Sequence, residues 1–146
     1  MKQALETISL KTEGPGFTDV TQEIAGRLME VGVGTGLLTL FLRHTSASLT
    51  IQENADPAVQ RDLLETLEAL APRDRRWHHA SEGPDDMPAH VKTMLTDCAL
   101  TIPVNEGRMM LGTWQGIYLV EHRDRPRTRE IVLHFLGEIG APPERL

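Results

Sequence analysis

Residues 100–136 read LTIPVNEGRMMLGTWQGIYLVEHRDRPRTREIVLHFL and decide the predicted fold. Apolar or alternating runs at 100–104, 108–111, 116–121 and 130–136 predict four strands. Tight turns separate them, at 105–107, at 112–115 and at the arginine-rich stretch 123–127. Because successive strands with short connections pair antiparallel, this stretch predicts an antiparallel sheet and favours an α+β fold over a doubly wound one.

The chain before this stretch alternates strands with helices. Residues 3–12, 37–43 and 48–53 have the pattern of strands, and the last two are short and bounded. Residues 20–31 repeat apolar side chains at helical spacing, with Asp19 placed as a helix cap. The glycine-rich stretch 32–36 follows this helix, so it predicts a helix stop and a turn rather than a nucleotide loop.

A second helix and a long polar segment follow. Asp56 is a good N-cap with Pro57 at the first helical position, and residues 59–70 carry an apolar stripe that predicts a buried face. Residues 73–88 are polar and rich in charge, glycine and proline. A segment of this length inside a domain is usually functional or disordered, and its histidines and aspartates favour function. Pro88 is expected to open a short helix that ends near residue 95.

Length and composition predict one domain over residues 1–146, with a core at about 5–138 and a flexible tail at 140–146. The net charge of −6 argues against a nucleic-acid-binding face, although 12 of the 15 basic residues are arginines and could form a local anion pocket. No apolar run is long enough to span a membrane and the N-terminus lacks a signal-peptide pattern, so we expect a cytoplasmic protein. The single cysteine, Cys98, is expected to be a small buried residue.

Three histidines lie where binding sites are usually built. His44 follows a predicted strand, His79 lies in the long polar segment, and His90 lies at the start of the short helix. Neutral imidazoles suit zinc and similar ions, with carboxylates as orienting partners. Their spacing matches no compact metal motif, so the alternative that they are surface or structural side chains stays open.

Several polar residues near these histidines are further candidates. Glu53 and Asp86 could orient a metal-bound imidazole or act as a base, and Asn54 lies beside Glu53 at the end of a strand. The alternative is that both carboxylates are solvated. Two short stretches complete the candidate set. The hydroxyls of Thr45 and Ser46 could satisfy a turn or bind an anion. In the pair Trp114 and Gln115, the indole could line a pocket or pack in an interface.

Three long motifs resemble those of the YjbQ family, the secondary thiamine-phosphate synthase group. They are HTSASLTIQENADP at 44–57, GPDDMPAHVK at 83–92, and LTIPV at 100–104 followed by LGTWQGIY at 111–118. The resemblance runs in order from about residue 5 to residue 138. It implies two small, mainly antiparallel sheets with helices packed outside, assembled as a homotrimer, and a pocket in which His44, His79 and His90 can hold a metal.

Two functions are compatible with this resemblance. The first is an enzyme that joins a pyrimidine pyrophosphate to a thiazole phosphate, with a divalent metal, zinc-type or magnesium, or arginines neutralising the leaving group. The second is a non-catalytic trimer that binds a small phosphorylated metabolite or a metal. The sequence departs from the family pattern at residues 77–79, which leaves open whether His78 or His79 faces the pocket.

Overall fold

Within residues 1–141, the part of the chain that the computed structural model describes, there are eight strands and three helices. Their order is β1 (Lys2–Thr12), β2 (Gly16–Asp19), α1 (Thr21–Val31), β3 (Val33–Leu42), β4 (Ala47–Glu53), α2 (Pro57–Leu70), α3 (Asp86–Leu95), β5 (Ala99–Asn105), β6 (Arg108–Met109), β7 (Gln115–Glu121) and β8 (Arg127–Ile139). The expectation of a flexible tail falls mostly on residues 142–146, outside the described residues.

The strands form two antiparallel sheets. One has five strands in the order β1-β8-β3-β5-β6, and the other has three in the order β2-β7-β4. Every neighbouring pair is antiparallel, so the predicted α+β class with two antiparallel sheets is confirmed. The fold places β8 between β1 and β3, and β7 between β2 and β4.

The predicted pairing of successive C-terminal strands is only partly right. β5 and β6 do form a hairpin, but β6 belongs to the five-stranded sheet and β7 to the three-stranded one. Residues 112–115 therefore connect two sheets rather than two strands of one hairpin. The alternation of apolar and polar residues shows which face of a strand is buried, but it does not show which strand is its neighbour. Any apolar strand of the right length satisfies the same pattern.

One continuous apolar core joins both sheets and α1. It includes Leu38 and Leu133 of the five-stranded sheet, Leu49 and Leu119 of the three-stranded sheet, and Ile24 of α1, all fully or almost fully buried. Alternate residues of β3 and β8 point into this core, as the period of a half-buried strand requires. The sheets thereby fix the loops at their ends, where the polar candidates lie.

The glycine-rich stretch lies mostly inside a strand, contrary to the expected turn. Gly32 does end α1, with a left-handed φ of 76° that favours glycine. β3 starts directly after it, and a bulge interrupts its pairing with β8 between Val33 and Gly36. A Cβ on Gly36 would lie 2.4 Å from the carbonyl oxygen of Leu136, so only glycine allows this close approach of the two strands.

The start of α1 also differs from the prediction. Asp19 ends the short strand β2, which the sequence did not reveal, and its Oδ1 accepts a hydrogen bond from the backbone N–H of Thr21 at 2.9 Å. Val20 occupies the cap position without a side-chain hydrogen bond. In α2, by contrast, Asp56 is the predicted N-cap, because its Oδ1 accepts from the N–H of Ala58 at 2.9 Å.

Two expected burials are not observed. The apolar stripe of α2 is only half-buried at Leu63 and Leu67, Leu70 is 60% exposed, and no residue of α2 is fully buried. Cys98 is exposed, because it lies at the edge between α3 and β5 rather than in the core. Separately, no helix among residues 1–141 has the length and apolar character needed to cross a membrane.

Candidate functional site

His79, Asp86 and His90 form the cluster that the structure offers as a cation site. Asp86 opens α3, and His90 lies four residues later on the same face of the helix. The segment before α3 brings His79 Nε2 to 2.6 Å from Asp86 Oδ2, and His90 Nε2 lies 3.2 Å from the same oxygen. Atoms of the three side chains that could ligate a metal all lie within 4.8 Å of one another. Of the two adjacent histidines, His79 is the one whose ring contacts Asp86 and belongs to the cluster.

The hydrogen bonds of His90 fit a metal ligand. Its Nδ1 lies 2.8 Å from the carbonyl oxygen of Thr45, which can only accept, so Nδ1 carries the proton. A neutral His90 therefore turns the lone pair of Nε2 toward Asp86 Oδ2. That contact is favourable only if the imidazole is protonated or a cation lies between the two groups. A backbone carbonyl that binds the far nitrogen is also the usual outer partner of a metal-bound histidine.

Arg123 holds Asp86 of the cluster and the neighbouring Asp85 in place. Its Nη1 donates to Asp86 Oδ1 at 2.7 Å, its Nε donates to Asp85 Oδ2 at 2.8 Å, and its Nη2 donates to the carbonyl oxygen of Glu82. Burial alone would raise the pKa of Asp85, but the bonds from Arg123 and from the N–H of Asp124 lower it to about 2. The pKa of Asp86 is likewise below its ordinary value. Burial alone would raise this pKa, but the hydrogen bond to His79 and the charge of Arg123 lower it by more. Both carboxylates are therefore ionised at neutral pH.

A second buried ion pair positions the loop that carries Thr45. Arg129 Nη2 donates to Glu121 Oε2 at 2.6 Å and to Ser46 Oγ at 2.9 Å, and Thr12 Oγ1 donates to Glu121 Oε1. This network ties residues 44–46 to β1, β7 and β8. It fixes the carbonyl oxygen of Thr45 where His90 Nδ1 needs an acceptor. Ser46 thus has a positioning role, because its hydroxyl is buried against Arg129.

His44 is not part of the cluster within the chain. Its Nε2 accepts a hydrogen bond from the backbone N–H of Glu130 at 2.9 Å, which leaves Nδ1 protonated. Partial burial, followed by the nearby charge of Arg129, lowers the pKa of His44. It lines an open cavity of about 530 Å³ together with Phe41 and Cys98. The structure therefore places two of the three predicted metal histidines together, with Asp86 as the third group.

The remaining candidates gather at the other end of β4. Glu53 pairs with Gln115 in the β4–β7 register, whereas Ala47, beside the Thr45 loop, pairs with Glu121. Glu53 lies six residue steps along the strand from Ala47, a span of roughly 20 Å. Asn54 donates to the carbonyl oxygen of Thr113 at 3.4 Å and thereby connects this end of β4 to residues 113–115.

The side chains at this end of β4 have local partners. Glu53 Oε2 accepts from the N–H of Asp56, and Gln115 Oε1 accepts from the N–H of Gly112. Trp114 is 64% exposed. Glu53, Asn54, Trp114 and Gln115 therefore do not line the histidine cluster of the same chain.

A buried Ser48–His122 pair lies at the Ala47 end of β4. Ser48 Oγ is 2.8 Å from His122 Nε2, and both residues are almost completely buried. Burial, and then the charge of nearby Lys92, lowers the pKa of His122 to about 4, so the imidazole is neutral. The pair holds β4 against the end of β7. Because Ser48 has no exposed surface, its hydroxyl is not presented as a nucleophile.

Sequence reasoning missed Arg123 and Asp85. The arginine-rich turn 123–127 has the composition of a solvated surface segment, and nothing in its spacing indicates that one guanidinium is buried. The signal that was available is the pair Asp85-Asp86 at a helix start, since two adjacent acidic residues that become buried need a cationic partner.

The fold and the cluster define an α+β domain with a candidate site for a divalent cation. A model of the family described as "UPF0047 protein YjbQ-like" matches residues 6–138. The chain belongs to this YjbQ-like family. A UPF0047 protein of Synechocystis is 48% identical over 139 residues, covering 94% of this chain and 95% of that protein. The UPF0047 protein YjbQ of Escherichia coli is 42% identical, covering 91% of this chain and 97% of that protein.

Solved structures agree with this assignment. A YjbQ/UPF0047 protein from Clostridium acetobutylicum superposes with a TM-score of 0.82 at 36% identity, over 90% of this chain and 99% of that one. A conserved hypothetical protein from Thermus thermophilus gives 0.80 at 40% identity, with the same coverage of 90% and 99%. The family relationship thus extends to the arrangement of both sheets.

Proposed function

We propose that this protein is a metal-dependent enzyme that holds a divalent cation between His79, Asp86 and His90. The observation that carries the proposal is the hydrogen bond from His90 Nδ1 to the carbonyl oxygen of Thr45, because it aims the Nε2 lone pair at the cluster. Two imidazoles and one carboxylate favour a zinc-type ion over magnesium, which prefers oxygen ligands.

Three protein ligands suit catalysis, because a tetrahedral ion then keeps one position for water or substrate. A bound ion would supply charge neutralisation for a pyrophosphate leaving group. The chain's own residues orient the site: Arg123 fixes one oxygen of Asp86, and Thr45 fixes the ring of His90. The reaction implied by the family resemblance is the joining of a pyrimidine pyrophosphate to a thiazole phosphate, performed in the cytoplasm.

Zinc titration followed by calorimetry tests the site. Loss of even an outer partner typically weakens metal binding about 10–100-fold, so His79→Gln and His90→Gln should each weaken zinc affinity by about 100-fold or more. His78→Gln is the matched control and should bind zinc as the parent does, since His78 is exposed outside the cluster. Unchanged zinc affinity in both cluster variants would refute the proposed site.

An assay of the metal-loaded protein separates the enzyme from the non-catalytic alternative. The enzyme should form thiamine phosphate from the pyrimidine pyrophosphate and the thiazole phosphate only with metal, and His90→Gln should abolish product. Zinc binding without any turnover across a panel of phosphorylated and pyrophosphorylated metabolites would instead support a protein that only binds the metal or ligand.

We also propose that the protein assembles as a homotrimer through the outer face of the five-stranded sheet. Leu37 lies directly opposite Leu136 in the β3–β8 register, and Phe41 and Leu5 occupy the same face. All four are between 42% and 71% exposed. Several large, exposed apolar side chains on one sheet face indicate a contact surface, and the family resemblance makes further copies of this chain its occupant.

A further inference from the structure

We propose that a cavity beside the cation cluster binds the phosphate group of a small phosphorylated ligand through Arg125 and Arg127. The cavity has a volume of about 460 Å³ and lies between residues 81–85 and the turn that joins β7 to β8. That this phosphate belongs to a substrate rests on the function proposed above. The binding of the anion itself does not require the metal.

The walls of the cavity are tied together. Arg123 Nη2 donates to the carbonyl oxygen of Glu82 at 2.9 Å, and the N–H of Asp124 donates to Asp85 Oδ2 at 3.0 Å. Arg123 also contacts Asp86, so one guanidinium borders both the cavity and the cation cluster. The cavity is therefore a preformed space directly beside the proposed metal.

Three carboxylates and three arginines line the cavity, and two of the arginines have no ion-pair partner in the described part of the chain. Glu82 lies 3.6 Å from His79 Nε2. Arg123 is neutralised by Asp85 and Asp86, and both oxygens of Asp124 are held by Arg73 at 2.6 Å. Arg125 and Arg127 have no ion pair with any residue in the range 1–141. Two unpaired guanidinium groups around one space match the double negative charge of a phosphate monoester.

Arg127 provides the second observation. Its Nε is buried and has no hydrogen-bond partner among the described residues. A buried N–H without an acceptor costs free energy, and the Nε edge of arginine is one that binds a phosphate with two parallel hydrogen bonds. Arg127 is also the first residue of β8 and pairs with Thr12, so its backbone is held by the five-stranded sheet. A phosphate that reaches this edge supplies the missing acceptor.

Calorimetric titration of the full chain, freed of metal with a chelator, tests the proposal. The probes are inorganic phosphate and the monoester glycerol phosphate, and both should bind. Arg127→Gln should weaken binding by about tenfold or more, since hydrogen bonds to charged groups are strong. Arg127→Lys should recover only part of the loss, because lysine keeps the charge but lacks the two-pronged edge. Arg125→Gln should weaken binding a few-fold.

Two controls make the result specific. Arg27→Gln removes the same charge from α1, outside the cavity, and should bind phosphate as the parent does. His90→Gln should also keep its phosphate affinity while its zinc affinity falls. The experiment therefore distinguishes an error in the proposed metal site from an error in the proposed anion site. The proposal is overturned if the parent binds neither probe at millimolar concentration, if Arg127→Gln binds as the parent does, or if inorganic phosphate binds while the monoester is excluded.

Discussion

His122 is the most strongly perturbed histidine described above, and it makes stability depend on pH. Its pKa is about 4 in the folded chain against an ordinary 6.5, so the folded state favours the neutral ring. The resulting stabilisation is complete above about pH 6.5 and is lost as the pH falls from there toward 4. One pKa unit corresponds to about 1.4 kcal/mol, so the free energy of unfolding should decrease by up to about 3 kcal/mol from this group.

Urea unfolding at a series of pH values measures this decrease. In His122→Gln an uncharged amide can still meet Ser48, so the loss between pH 6.5 and 4 should be clearly smaller than in the parent. His78→Gln, which changes an exposed ring, should follow the parent. Identical curves for His122→Gln and the parent would contradict the assignment.

For individual residues, the sequence predicted which types of side chain form the site better than which of them lie close together. Asp86 and His90 meet because a helix places residues four apart on one face. The predicted helix opened at Pro88, two residues later than α3, so the sequence did not show that Asp86 lies on it. Glu53 and Trp114 lie at the far end of β4, and only the register of β4 with β7 reveals the separation. Arg123 reaches Asp85 across more than 30 residues of chain, a contact that no local pattern encodes.

The helices differ in how firmly the chain holds them. α1 places Ile24 and Leu28 in the core, whereas α2 is longer but buries no residue fully. Most helical stability in proteins comes from packing of an apolar face, so the backbone amides of α2 should exchange with deuterium faster than those of α1. Hydrogen exchange resolved by NMR checks this, with α1 as the internal control. Equal protection of the two helices would show that α2 is covered by something outside the chain.

The sequence predicted nearly all the helices and strands, but it did not predict correctly which strands pair with each other. Spacing found both long helices and most strands, since local patterns encode periodicity directly. It missed β2, whose four residues are too few to alternate convincingly, and it assigned the first four residues of β3, with Gly34 and Gly36, to a turn. Those glycines serve a close approach to β8, a tertiary requirement that resembles turn composition when only the sequence is seen.

For the whole molecule, light scattering tests assembly. We expect a particle of three times the chain mass at micromolar concentration, because the apolar outer face of the five-stranded sheet is otherwise left in water. Phe41→Glu places a charge in that face and should yield monomers. Met29→Glu, on the exposed side of α1, should leave the trimer intact. A monomeric parent would contradict the proposal outright.

The central position of β8 has a consequence for how the protein is made. β1 and β3 both bond to β8, so the five-stranded sheet has no continuous hydrogen-bonded core until residues 127–139 have left the ribosome. Lys2 must find Gly137 across a loop that contains almost the whole chain. Formation of this sheet therefore waits for residues 127–139 and is slow for a domain of this size, on the order of milliseconds to seconds. Until β8 is in place, the edges of β1 and β3 that it covers are unpaired, and such edges promote aggregation.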